Sequence, residues 1–216
     1  MKTFIAYPFD SEKTSSSQST DNYSGKLVAH HELYQEISHL EGSVVKCGVT
    51  AKEVLDNLQL FSNSADSIPN RKVVLFEKII KKLYVADDGD DNSTLQTKSR
   101  CSAADISAIK KVMKQKGFRE EINFIPGNVG EAIPDFLIEY PDLKISYLNI
   151  DFDDYEATLT TLHFFYPRLV HHGILILDNF YKKEEDHRAV KEYFRYSTIR
   201  LNNFSHNQGP HYIVRQ

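Results

Sequence analysis

The sequence predicts an α/β fold: a seven-stranded, mostly parallel sheet with helices on both faces and an antiparallel hairpin at its C-terminal edge. Three observations predict it. Seven short apolar segments rich in β-branched and aromatic residues recur along the chain, at 44–49, 73–76, 122–125, 145–150, 174–177, 198–201 and 212–214. Helical patterns separate the first six, as at 103–116, 129–139, 155–169 and 184–196. The last two are joined by 202–210, which carries no helical pattern and suits a hairpin. Strands that are apolar throughout are buried on both faces, and their alternation with helices means a largely parallel sheet.

Taken in order, residues 11–24 are rich in Ser, Thr, Asp and Asn and read as a mobile arm or loop. From Lys26 to Leu40, the apolar Leu27, Val28, Leu33, Tyr34, Ile37 and Leu40 fit a helix with one buried stripe, ended by Gly42. The expected organisation is an N-terminal arm over 1–25 and a single domain over 26–216. The acidic run Asp87-Asp88-Gly89-Asp90-Asp91-Asn92 reads as a solvated loop. Gly89 is not sixth in a twelve-residue calcium loop, and no Glu closes one.

Size and composition bound the function. The 216 residues are enough for one domain with a substantial core, and 41% hydrophobic with 26% charged residues is ordinary for a globular protein. A net charge of −4 argues against a nucleic-acid footprint or an anionic membrane surface as partner. No apolar stretch reaches the ~18 residues of a spanning helix. The first eight residues are too short and interrupted for a signal peptide. Cys47 and Cys101 form neither a metal spacing nor a disulfide framework, so the expected home is a reducing cytoplasm.

The chemistry gathers where strands end. In Ile150-Asp151-Phe152-Asp153-Asp154-Tyr155, the carboxylates of Asp151 and Asp153 follow a buried strand at i, i+2 spacing and point to one side. Two like charges that close need a cation, a proton or water. The run 173–177 ends in Asp178-Asn179, placing three carboxylates and an amide at the carboxyl ends of two buried strands. Ligands of open parallel sheets bind there, near the switch in strand order. Strand one ends at Cys47-Gly48-Val49, strand two at Phe76-Glu77 and strand three at Ile125-Pro126-Gly127-Asn128. Glu77 suits the two hydroxyls of a ribose, or is an ordinary surface carboxylate; Asn128 suits an adenine edge.

With these residues in view, the chain resembles the macrocin O-methyltransferase-like branch of the class I S-adenosylmethionine-dependent methyltransferases, metal-dependent sugar O-methyltransferases with a Rossmann-like sheet. The resemblance runs from about Leu27 to the C-terminus. It is strongest in Asp151-Phe152-Asp153-Asp154-Tyr155-Glu156-Ala157-Thr158, Tyr166-Pro167-Arg168-Leu169 and Gly173-Ile174-Leu175-Ile176-Leu177-Asp178-Asn179-Phe180. It implies S-adenosylmethionine as methyl donor and a sugar or glycosylated small molecule as acceptor. It implies magnesium held by Asp151, Asp178 and Asn179, and Asp153 as the base that takes the acceptor's proton. It further implies cofactor contacts at Gly48, Glu77, Asn128 and Asp151, and a dimer or higher assembly.

The same resemblance exposes departures. Lys46 stands where the family has Glu, Lys52 where it has the second glycine of the first-strand motif, and Asn179 where it has a second Asp. A lysine where backbone must approach a ligand is an obstacle, and its charge opposes a sulfonium. The alternative reading is therefore a methyltransferase-fold pseudoenzyme or binding module that has lost its cofactor.

Other candidates have plainer explanations. His171-His172 lies at the amino end of a strand and reads as surface. His30-His31 also reads as surface, unless the N-terminal helix covers the cleft. Tyr155 is expected to pack beneath the Asp pair, and Cys47 to be an inert core thiol.

Overall fold

A computed structural model describes residues 19–49, 71–77, 80–82, 96–98, 122–180, 184–204 and 210–216, with single helical positions at 107, 111, 114 and 115. Its strands are β1 (Ser43–Val49), β2 (Val73–Glu77), β3 (Ile80–Lys82), β4 (Gln96–Lys98), β5 (Ile122–Ile125), β6 (Ile145–Ile150), β7 (Leu169–Leu177), β8 (Asn202–Asn203) and β9 (His211–Val214). Its helices are α1 (Ser19–Glu36), α2 (Val129–Glu139), α3 (Tyr155–Phe165) and α4 (Glu184–Tyr193). Seven strands form one sheet in the order β5-β2-β1-β6-β7-β9-β8. The first five pair in parallel, and β9 runs antiparallel to both β7 and β8. The expected architecture, including the terminal hairpin, is the one observed.

The sheet is buried on both faces because side chains alternate along each strand. One face carries Val45, Cys47, Val74, Phe76, Leu148 and Ile150 against Ile133 and Phe136 of α2, Leu162 and Phe165 of α3 and Val190 of α4. The other carries Val44, Val49, Val73, Leu75, Tyr147, Ile174 and Ile176 against Leu33 and Tyr34 of α1 and Ile37 in the turn that follows it. Each such side chain contributes about 1.5–3 kcal/mol on burial.

Several boundaries move, each for a physical reason. Helix α1 begins at Ser19 rather than Lys26. The polar residue types of that stretch favour helix starts as well as turns, so composition alone could not separate the two. The stripe of α1 is also rotated: Val28 is 53% exposed, while Ala29, His30, Leu33, Tyr34 and Ile37 are buried. Helix α3 stops at Phe165, and Tyr166–Arg168 form a 3-10 turn around Pro167, which cannot continue an α-helix. Strand β7 begins at Leu169 and takes up extra residues in a register shift between its Leu169 and Ile174 pairings. His172 sits in that irregularity at φ 64°, and both His171 and His172 are exposed, as expected. The strand expected at 198–201 is displaced to Asn202–Asn203, because Ile199 and Leu201 pack their side chains on the core instead of joining the ladder. The β3–β4 ribbon is too polar to have shown as an apolar run. The acidic run 87–92 and most of 103–116 lie outside the described residues.

The carboxyl end of α1 is fixed by Arg71, which opens the segment leading into β2. Its Nη2 donates to the carbonyls of Ser38 at 3.0 Å and Leu40 at 2.6 Å, tying down the turn that follows the helix. Its guanidinium lies 5.6 Å from the Tyr34 ring centre. This clamp, with the Leu33–Tyr34–Ile37 stripe, sets α1 across the sheet. Among the described residues no helix is long and apolar enough to cross a membrane.

Candidate active site

The ends of β1, β6 and β7 converge. The Asp151 amide donates to the Cys47 carbonyl at 2.9 Å, and the Asp178 amide donates to the Ile150 carbonyl at 3.2 Å. These bonds continue the parallel ladder past the strands and carry the two aspartates to one edge. Gly48 makes the approach possible. Its φ is +90°, and a Cβ placed there would meet the Asp151 carbonyl oxygen at 2.2 Å. Asp154, next in the acidic run, caps α3 by accepting from the Ala157 amide at 2.9 Å.

Asp178 is the electrostatic centre. Its side chain is 1% exposed and both oxygens are occupied. Oδ1 accepts from His30 Nε2 at 2.9 Å; Oδ2 accepts from Asn149 Nδ2 at 2.9 Å and faces Lys26 Nζ at 3.1 Å. Burial alone would raise its pKa, but His30, Lys26 and Lys46 outweigh that and hold the carboxyl well below the usual range. Lys26 Nζ also donates to Asp151 Oδ2 at 2.8 Å, so one ammonium bridges the two aspartates. Burial would lower the Lys26 pKa, but Asp178 and Asp151 prevail and raise it.

Behind Asp178 lies a buried relay. His30 Nδ1 is 2.5 Å from the Tyr147 hydroxyl. Asp178 is ionised and only accepts, so His30 Nε2 carries the proton. Burial above all, with Lys46 and Lys26 nearby, lowers the His30 pKa against the pull of Asp178. The neutral ring then accepts from Tyr147, whose phenol is pushed well up by burial, Asp178 and Tyr34. The order is Tyr147 to His30 to Asp178.

The second carboxylate pair is tied differently. Asn179 Nδ2 donates to Asp151 Oδ1 at 2.5 Å and to Asp153 Oδ1 at 3.3 Å. Between two acceptors an amide must present its nitrogen. Asp153 is exposed at the rim, while Asp151 is half-buried.

The profile of the family described as Macrocin-O-methyltransferase (TylF) matches residues 32–204. The chain belongs to this family. Among solved structures, the calicheamicin methyltransferase CalS11 is 19% identical, with TM-score 0.68 over 87% of this chain and 77% of that one. The O-methyltransferase NovP is 20% identical, with TM-score 0.63 over 88% and 79%. A Staphylococcus aureus protein described as a putative caffeoyl-CoA O-methyltransferase is 15% identical, with TM-score 0.54 over 88% and 82%. These identities speak for the methyltransferase fold alone. Among curated proteins none matches.

In this macrocin-O-methyltransferase family member, Asp151, Asp153, Asp178 and Asn179 come together as the sequence suggests. Glu77 closes β2 with 1% exposure, so the surface-carboxylate reading of it does not hold. Asn128 is exposed and caps α2, its Oδ1 accepting from the Gly130 amide at 3.0 Å. Lys46 is 4% exposed and acts electrostatically on Asp178 and His30, a partnership the family comparison of one strand could not reveal. Lys52 lies outside the described residues.

Two expectations need correction. His30 is 1% exposed rather than on the surface, because α1 covers the strand ends. Tyr155 does not pack beneath the Asp pair. Its hydroxyl donates to Glu192 Oε2 at 2.6 Å and its ring lies 4.0 Å from the Arg188 guanidinium, so it joins α3 to α4. Cys47 is fully buried, and burial pushes its thiol pKa up, as expected of a core residue.

The sequence did not single out Lys26, Tyr147 and Asn149, and it offered His30 only through a helix covering the cleft. Tyr147 and Asn149 sit at i, i+2 in a buried strand and precede Asp151 with the same spacing. Lys26, His30, Leu33 and Ile37 follow helical spacing. Both were readable as polar extensions of apolar stripes.

Proposed function

We propose that this protein is an S-adenosylmethionine-dependent O-methyltransferase acting on a hydroxyl of a sugar or glycosylated small molecule. The observation that carries the reading is Asp153 at the rim, tied through Asn179 to Asp151, within a chain of the macrocin-O-methyltransferase family. CalS11 is described as a TDP-rhamnose 3′-O-methyltransferase, and a nucleotide-linked deoxysugar is a fitting first acceptor to try.

S-Adenosylmethionine supplies an electrophilic methyl group on a sulfonium. Asp153 takes the proton of the acceptor hydroxyl as the new carbon–oxygen bond forms and the sulfur–carbon bond breaks. Most of the chain's contribution is positioning of the two reactants in line. Glu77, at the end of β2, has the chemistry to accept from both ribose hydroxyls. Gly48 keeps the β1 turn free of a side chain, and the Asn128 amide nitrogen can donate to an adenine acceptor.

The magnesium implied by the resemblance does not fit these side chains. Both oxygens of Asp178 and both of Asp151 already have protein partners. Asn179 turns its nitrogen to the carboxylates, and nitrogen of an amide is not a ligand for a hard cation. Among the described residues no three His, Cys, Asp or Glu side chains converge in a metal-binding arrangement. A cytoplasmic, homo-oligomeric protein is the setting we propose for this activity.

The test is calorimetric titration with S-adenosylhomocysteine, followed by transfer of labelled methyl to nucleotide-linked sugars. Binding with transfer supports the proposal. No binding at millimolar cofactor sinks it and favours the binding-module alternative.

A further inference from the structure

The two carboxylates at the strand ends need a compensating cation, and the chain already provides one. We propose that Lys26 is the resident cation of this site: its ammonium takes the place of a divalent metal between Asp151 and Asp178, and a divalent ion binds there only once that ammonium is removed. The proposal rests on the reading of Asp151, Asp153 and Asp178 as the acceptor edge.

The geometry is that of a bridging cation. Lys26 Nζ lies 2.8 Å from Asp151 Oδ2 and 3.1 Å from Asp178 Oδ2, oxygens delivered by two different strands. An ion held by the same oxygens would occupy the same space. The lysine side chain is 29% exposed, against 1% for Asp178, so the ammonium closes the site from the solvent side.

Its position is built into the fold. Lys26, His30 and Leu33 lie along one face of α1, Ile37 continues that face just past the helix end, and the last three are buried. His30 reaches Asp178 from the next turn, and Arg71 holds the far end of the helix. Withdrawing Lys26 by moving α1 would uncover Leu33, Tyr34 and Ile37 from the sheet.

The remaining groups agree with a monovalent occupant. Asn179 carries no charge and presents a donor to Asp151 and Asp153. Lys46 adds a second positive charge near Asp178. A divalent ion added to Lys26 and Lys46 would leave the site with excess positive charge, whereas fewer ligand charges weaken a hard cation.

The test uses the full chain and Mn2+ as probe, with free Mn2+ followed by electron paramagnetic resonance. Wild type is expected to show no saturable site up to about 1 mM, and Lys26→Met to gain one at least about tenfold tighter. Mn2+ should raise the melting temperature of Lys26→Met and leave that of wild type unchanged. Asp178→Asn added to Lys26→Met should erase the gained site. Lys26→Gln, which keeps a polar head, serves if the Met variant folds poorly. The proposal is overturned if wild type binds Mn2+ below about 1 mM in a manner lost in Asp178→Asn, or if neither Lys26 variant gains affinity. Titration of wild type with S-adenosylhomocysteine runs in parallel. Its failure would remove the methyltransferase reading and leave the Mn2+ result standing by itself.

Discussion

His30 of α1 donates to Asp178, at the end of β7, at 2.9 Å across 148 residues of sequence, and both side chains are almost wholly buried. The contact makes the N-terminal helix part of the site rather than a cover over it. Asp178 is held at once by His30 and Lys26 of α1 and by Asn149 of β6, so changes on either element are felt at the same carboxylate.

Removing the hydroxyl of Tyr147 tests the relay. Tyr147→Phe keeps the ring and leaves His30 Nδ1 buried without its donor. A loss of about 1–3 kcal/mol in urea unfolding is expected. An unchanged midpoint would show that the 2.5 Å contact contributes nothing.

Lys26→Met should destabilise the chain in the absence of divalent ions. Breaking a fully buried pair costs about 3–5 kcal/mol, and the partial exposure of Lys26 brings the expectation to about 2 kcal/mol. Equilibrium unfolding in chelator is the measurement, with Lys26→Arg expected to recover part of the loss.

Gly48→Ala places a Cβ 2.2 Å from the Asp151 carbonyl at a φ of +90°. A destabilisation of about 2–4 kcal/mol is expected, because both strain and collision act. The same substitution should lower cofactor affinity even where the protein is still folded, read by calorimetry below the melting temperature.

Asp153→Asn should lower methyl transfer by about 10²–10⁴-fold while cofactor binding and melting temperature stay near wild type. The carboxylate is exposed at the rim, and its hydrogen bond from Asn179 is long at 3.3 Å. Retained turnover would remove Asp153 as the base.

His211, paired with Leu177 on the strand that leads into Asp178, gives a pH dependence. Burial lowers its pKa from 6.5 to about 4. The unfolded chain therefore binds the proton first as pH falls. The stabilisation is fully present above about 6.5 and is lost progressively toward pH 4. His211→Gln should flatten the fall in melting temperature across that window, without altering stability measured above it by the same amount.

Much of the fold was legible because continuous apolar runs with turn residues between them have few other solutions. The five parallel strands all fall at the sequence-derived positions, within a few residues at their ends. The edge strand β8 was not, since its two asparagines carry no apolar signal and its neighbours Ile199 and Leu201 pack by side chain alone. The Asp151–Asp153 spacing and Asp178-Asn179 were legible for a local reason: strand ends in a parallel sheet share one edge.

Short-range periodicity and motif spacing specify the parallel strands, the family pattern and the acidic edge. Only the tertiary structure decided what compensates that edge. Lys26 and His30 are distant in sequence from the aspartates and lie in a helix whose polar residues look like surface. Their roles appear once Leu33, Tyr34 and Ile37 dock α1 on the sheet, because burial in one face of a helix fixes where every fourth side chain must go.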